Sequence, residues 1–84
     1  MKIDLHGLEL SEAIIEVDYA LKECKSNGDL FLEVVHGFNT GRVLKNYFLS
    51  QKFLKSMEEE GFRLAKQPPP NPGTTLYKIL SFSS

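Results

Sequence analysis

Apolar and polar positions change rhythm several times along the chain, and each change marks an element. Residues 2–6 alternate, with Ile3 and Leu5 on one side and Asp4 and His6 on the other. That is the period of a strand with one buried face, and Gly7 ends it. Ser11 is suited to cap a helix, with Glu12 behind it in the acid-preferring first turn. Ala13, Ile14, Val17, Leu21 and Cys24 then recur at helical spacing, while Glu12, Glu16, Glu23 and Lys25 fall on the water side. Asn27-Gly28 supplies the C-cap and turn.

Residues 30–35 are bulky or β-branched with only Glu33 charged, which predicts a central strand covered on much of both faces. A second helix is expected from about Arg42. Val43, Leu44, Tyr47, Leu54 and Met57 share one stripe if it runs unbroken to about Glu60. Leu49 and Phe53 miss that stripe, so either the helix breaks near Ser50 or these two cover a neighbouring surface. After Gly61, Phe62 to Lys66 alternates as a strand. Pro68 to Gly73 is a stiff connector that cannot enter a sheet interior, and Thr74 to Leu80 is the last strand.

The order is therefore βαβαββ. It predicts an α/β fold (an α+β two-layer sandwich): a four-stranded mixed sheet with both helices packed on one face and the other face partly open. One domain is expected over 1–84, with its core in 2–80 and a tail at 81–84.

Composition narrows the setting. At 84 residues and 42% hydrophobic, with six Phe and three Tyr, the chain can fill one core. The single Cys24 can neither close an internal disulfide nor assemble a zinc site alone, which suits a reducing cytosol. No apolar run approaches the roughly 20 residues of a membrane span, and no charged-then-apolar leader opens the chain. A cytoplasmic protein without membrane contact is the expectation. The net charge of −1 argues against a uniformly basic nucleic-acid binder. Its distribution is uneven, however. Residues 1–41 carry three Lys against eight acidic groups, and residues 42–84 carry seven Lys or Arg against three Glu. A chain divided this way can still present a basic face.

Candidate chemistry collects at two His-Gly pairs, His6-Gly7 and His36-Gly37, which hold the only histidines. Each lies where a strand gives way to a helix, the edge of an α/β sheet where ligands gather. Asp4, His6 and His36 are expected to meet there. Such a group can exchange protons near neutral pH or hold a divalent cation, and equally each residue can serve the backbone of its own loop. Between Gly37 and Gly41, the loop of Phe38, Asn39 and Thr40 can expose backbone N–H groups toward a phosphate. It lacks the lysine and spacing of a nucleotide-binding loop. On an unbroken second helix, Arg42, Lys45, Lys52 and Lys55 span about 140° of one side. That stripe is either a solvated face or a phosphate contact, with Arg42 and Lys45 nearest the loop.

Taken together, Ile3-Asp4-Leu5-His6-Gly7-Leu8, Glu12-Ala13, Val35-His36-Gly37-x-x-Thr40-Gly41 and Gly73-x-Thr75-Leu76-x-x-x-Leu80 resemble the Smr (small MutS-related) domain over roughly residues 2–80. The resemblance implies a two-layer βαβαββ fold like the C-terminal domain of translation initiation factor 3. It also implies binding and nicking of DNA, or cleavage of RNA, by an endonuclease that hydrolyses phosphodiesters, with Mg²⁺ or Mn²⁺ as candidate cofactor. Carried over by residue, it marks Asp4, His6 and Gly7 in the first motif and His36, Gly37 and Gly41 in the second. Phe38 and Asn39 stand where the family has Lys then Gly, which removes a phosphate contact. Phe38 could instead stack on an unpaired base. Pro68 to Gly73 replaces a glycine-rich turn, and the stretch from Leu49 to Gly61 is longer than usual. The alternatives are a non-catalytic DNA- or RNA-binding module, and a protein-interaction domain using Leu49, Phe53 and the open sheet face.

Overall fold

A computed structural model describes residues 1–37 and 42–82 of the chain. Its elements run β1 (Lys2–Asp4), α1 (Leu10–Asn27), β2 (Phe31–Val35), α2 (Arg42–Phe48), α3 (Gln51–Glu59), β3 (Phe62–Gln67) and β4 (Thr74–Phe82). The four strands form one sheet in the order β1-β2-β4-β3, with β1 parallel to β2 and the other two pairings antiparallel. The mixed two-layer architecture expected from the sequence is thus present. What the sequence tail was expected to begin with, Ser81 and Phe82, belongs instead to β4.

Helix α1 buries Ala13, Val17, Ala20, Leu21 and Cys24 along one stripe. Its start differs from expectation. Glu9 rather than Ser11 is the N-cap, and its backbone N–H is received by the Glu12 carboxylate at 3.1 Å. That acidic side chain also suits the positive end of the helix dipole. The helix ends as expected on Gly28, whose φ of 76° is a left-handed value that glycine adopts without strain.

The second helix does break. Ser50 caps α3, accepting the Phe53 N–H at 3.2 Å. The break frees three backbone carbonyls, and each finds a donor. The Ser50 hydroxyl donates to Tyr47 O, the Tyr77 hydroxyl to Phe48 O, and Lys66 Nζ to Leu49 O at 3.2 Å. No buried carbonyl is stranded by the turn, so the interruption carries little hydrogen-bond penalty. Phe53 thereby rotates into the core at 1% exposure, where its ring meets Tyr47, Phe48 and Tyr77. The expected contact surface of Leu49 and Phe53 is lost with it, since only Leu49 is exposed. The continuous basic stripe is lost as well: Arg42 and Lys45 sit on α2, and Lys52 and Lys55 on α3.

The core lies between the helices and one side of the sheet. Leu32 and Val34 of β2 and Tyr77 and Ile79 of β4 are buried there, beside Phe48, Phe53 and Met57. Side chains of this size contribute about 1.5–3 kcal/mol each when fully buried. The opposite face of β2 is only partly covered: Phe31 is 46% exposed, while Glu33 and Val35 are half-buried. On the same side of β4, Leu80 is 54% exposed. The register explains Leu80. Leu64 pairs with Ile79 but Arg63 pairs with Ser81, so Leu80 is the extra residue of a bulge.

Candidate active site

Strand β1 ends at Asp4, and the turn that follows is shaped by Asp4 itself. Its Oδ1 accepts the backbone N–H of His6 at 2.8 Å, while Leu5 N donates to Val35 O at 2.7 Å. Leu5 is buried and anchors the turn in the core; Asp4, His6 and Gly7 are exposed. Gly7 has φ 84°, and a Cβ there would meet nothing within 4 Å. Its requirement is backbone conformation, not space.

Asp4 and His6 face a cleft of about 360 Å³ at the end of β1. Lys2, Val35, Gly37, Asn71, Gly73 and Thr74 complete its lining. Asn71, Gly73 and Thr74 come from the end of the proline-rich connector and the start of β4, whose geometry is tightly tied. Asn71 Oδ1 accepts Gly73 N–H at 2.9 Å, and Asn71 O accepts the Thr74 hydroxyl at 3.1 Å. Gly73 O then accepts both His36 N–H at 3.0 Å and Gly37 N–H at 3.1 Å. One carbonyl of the connector therefore fixes the backbone of the second His-Gly pair. Gly37 itself has φ 93°.

The three expected catalytic side chains do not all meet. Asp4 and His6 share the cleft, but His36 is 0% exposed and is not part of its lining. Position parity is the reason. His36 continues the series Leu32 and Val34, which points into the core, whereas Asp4 pairs with Val35 on the open side. Inside, His36 Nε2 lies 2.9 Å from Thr75 Oγ1 and Nδ1 lies 3.2 Å from Gly37 O. A carbonyl can only accept, so Nδ1 is the donor to Gly37 O, and Nε2 pairs with the Thr75 hydroxyl. Both ring nitrogens thus have protein partners, and the structure does not bring this imidazole into the cleft with Asp4 and His6.

Arg42 is exposed and Lys45 half-buried on α2, and neither lines the cleft. Phe38, Asn39, Thr40 and Gly41, expected to bind phosphate, lie outside the described residues. Lys2, Asn71, Gly73 and Thr74 were missed as site residues. Lys2 carried a readable signal, because it shares strand parity with Asp4 and His6. Asn71 and Thr74 carried none that spacing could supply, since they reach the cleft only through β4 pairing with β2.

Among the described residues no group of three or more His, Cys, Asp or Glu is arranged to hold a metal. A larger depression of about 610 Å³ opens between α3 and β3, lined by residues such as Lys55, Glu58 and Leu64. It contains no histidine; Asp4 and His6 lie in the smaller cleft.

The same chain matches the family model described as Smr domain over residues 3–77. Endonuclease MutS2 of Acetivibrio thermocellus is 37% identical over 79 residues, covering 93% of this chain and 10% of that protein. Endonuclease MutS2 of Finegoldia magna is 33% identical over 64 residues, covering 73% of this chain and 8% of that protein. The chain thus spans about a tenth of the length of these relatives. The crystal structure of the Smr domain of Thermus thermophilus MutS2 aligns with a TM-score of 0.67 at 30% identity, covering 93% of this chain and 95% of that one. With the family model matching residues 3–77 and a relative 37% identical over 93% of this chain, the chain belongs to the Smr domain family.

Proposed function

We propose that this domain cleaves the phosphodiester backbone of DNA or RNA at the cleft of Asp4 and His6. The observation that carries the reading is the exposure of this carboxylate–imidazole pair, side by side with Lys2, in a concave edge of the sheet. The similarity to proteins named endonuclease supports the substrate class. His6 supplies the group that takes a proton from the attacking oxygen or returns one to the departing oxygen, the role histidine most often fills near neutral pH. Asp4 has a double duty. One oxygen holds the turn; the other makes no hydrogen bond among the described residues and is available to the reaction. Lys2 lies where it can offset phosphate charge, although it also sits 3.8 Å from Glu33.

If Mg²⁺ or Mn²⁺ takes part, Asp4 is the carboxylate that would hold it. Magnesium commonly uses one or two carboxylates together with water and substrate phosphates, so a full protein cage is not required. The ion would contribute neutralisation of the phosphate charge.

The test is nicking of supercoiled plasmid and cutting of structured RNA, with Mg²⁺, Mn²⁺ and EDTA arms. His6→Ala is expected to lower cleavage by about 10²–10⁴-fold, the usual contribution of a positioned acid–base group. Asp4→Ala should lower it similarly, and both proteins should remain folded. Cutting that survives both substitutions refutes the assignment. A second reading, binding without cleavage, is favoured by the use of Asp4 Oδ1 in the turn. It requires salt-sensitive binding and no cutting under any metal.

A further inference from the structure

We propose that the uncovered face of the sheet is a platform for single-stranded nucleic acid, which it leads into the Asp4–His6 cleft. The direction of travel rests on the reading of that cleft given above; the platform itself does not. Three features define it. Phe31 presents a half-exposed ring on the face away from the core, opposite in parity to the buried Leu32. Lys78 lies directly across from Phe31 in the β2–β4 register and across from Ala65 in the β3–β4 register. Arg63 and Lys78 are exposed and make no ion pair among the described residues.

The mixture decides the occupant. A dry apolar partner docked on Phe31 and Leu80 would have to bury the ammonium of Lys78 between them, and an unpaired buried charge is costly. A polyanion has no such conflict, because its phosphates replace the water around Lys78 and Arg63. The one carboxylate of the β2 row, Glu33, is already faced by Lys2. An aromatic ring on a flat sheet can reach the face of a base only when that base is unstacked from a duplex, so the ligand is single-stranded. Sequence tolerance follows, since every base offers a π-face.

Continuity with the cleft comes from the same strand. Phe31, Glu33 and Val35 share a face of β2, and Val35 lines the cleft beside Asp4 and His6. From Phe31 to Val35 is about 13 Å at the usual strand rise, enough for up to about four stacked nucleotides. A strand held at Phe31 therefore delivers its next few phosphates to the cleft.

The test uses fluorescence anisotropy with labelled oligouridylate, labelled oligothymidylate and a labelled duplex of the same length, on the whole chain. Phe31→Ala should weaken both single strands by about 5- to 100-fold, the loss of one base stack, and leave the duplex unaffected. Phe31→Tyr should bind like the original protein. Lys78→Glu should weaken both single strands and flatten the salt dependence. The half-exposed position of Phe31 keeps these substitutions away from the core, and a thermal melt checks it. Failure of the original protein to bind either single strand overturns the platform. So does equal loss for single strand and duplex in Phe31→Ala, or no loss, or self-association abolished by Phe31→Ala in place of oligonucleotide binding. Selective single-strand loss in a protein that never cuts would uphold the platform and refute the nuclease. Cutting by the original protein with unchanged Phe31→Ala affinity would do the reverse.

Discussion

Replacing His36 by alanine should unfold the domain more than it disarms it. The ring is fully buried, with Nε2 on the Thr75 hydroxyl and Nδ1 on the Gly37 carbonyl. Truncation strands the Thr75 hydroxyl, itself 2% exposed, at about 1–3 kcal/mol for an orphaned buried polar group. It also leaves a void where the imidazole was, and large-to-small core changes commonly cost 2 kcal/mol or more. Allowing for overlap, the total is about 3–5 kcal/mol. Set against the roughly 5–15 kcal/mol that holds a domain folded, this is a large fraction. Each kcal/mol lowers Tm by about 4–8 °C at this size, so the melt should shift down by at least about 12 °C. Calorimetry on His36→Ala, Thr75→Val and the double variant gives the coupling directly. The double variant should be less unstable than the sum of the singles, because both remove one hydrogen bond. An unchanged Tm combined with abolished cleavage would refute this account and return His36 to the list of reacting groups.

Two further outcomes follow from other contacts. Partial desolvation, and then the neighbouring Asp18, push the Glu60 carboxyl above the ordinary 4.5, with Lys22 opposing. The folded state therefore keeps its proton to higher pH than the unfolded chain. Its stabilising share is complete below the ordinary value and fades as pH rises through the raised one. Glu60→Gln should flatten that fall in Tm toward neutrality and stabilise slightly at pH 7, by less than about 1 kcal/mol because the group is exposed. A steeper fall in the variant would contradict the sign. Tyr77→Phe removes the donor to Phe48 O at the end of α2. It should cost about 1–3 kcal/mol in urea unfolding, and an unaltered midpoint would show that the carbonyl finds other relief.

Much of the fold was legible because its elements are locally consistent. The apolar stripe of α1 and the glycine that ends it read directly, and so did the two strands flanking the prolines. Ser50 posed an explicit alternative, a break or a continued helix. Only tertiary partners decide it, since Tyr77 and Lys66 come from distant strands to satisfy the carbonyls freed by the break. The site was half legible. Asp4 and His6 follow Lys2 at every second position, and that parity correctly placed them on the open side. The same rule applied from Leu32 through Val34 points His36 inward, although a histidine beside a glycine at a strand end equally suits a ligand site. Asn71, Gly73 and Thr74 reach the cleft across the β2–β4 pairing, a juxtaposition that no local pattern encodes.

The carbonyl of Gly73 that receives both His36 and Gly37 joins the last third of the polypeptide to its first half. During synthesis, Asp4 and His6 emerge long before that carbonyl does, and until β4 inserts beside β2 the far wall beside them does not exist. The cleft is therefore completed only when β4 has been made and docked, so a partially translated domain displays Asp4 and His6 on an edge that has not yet closed around them.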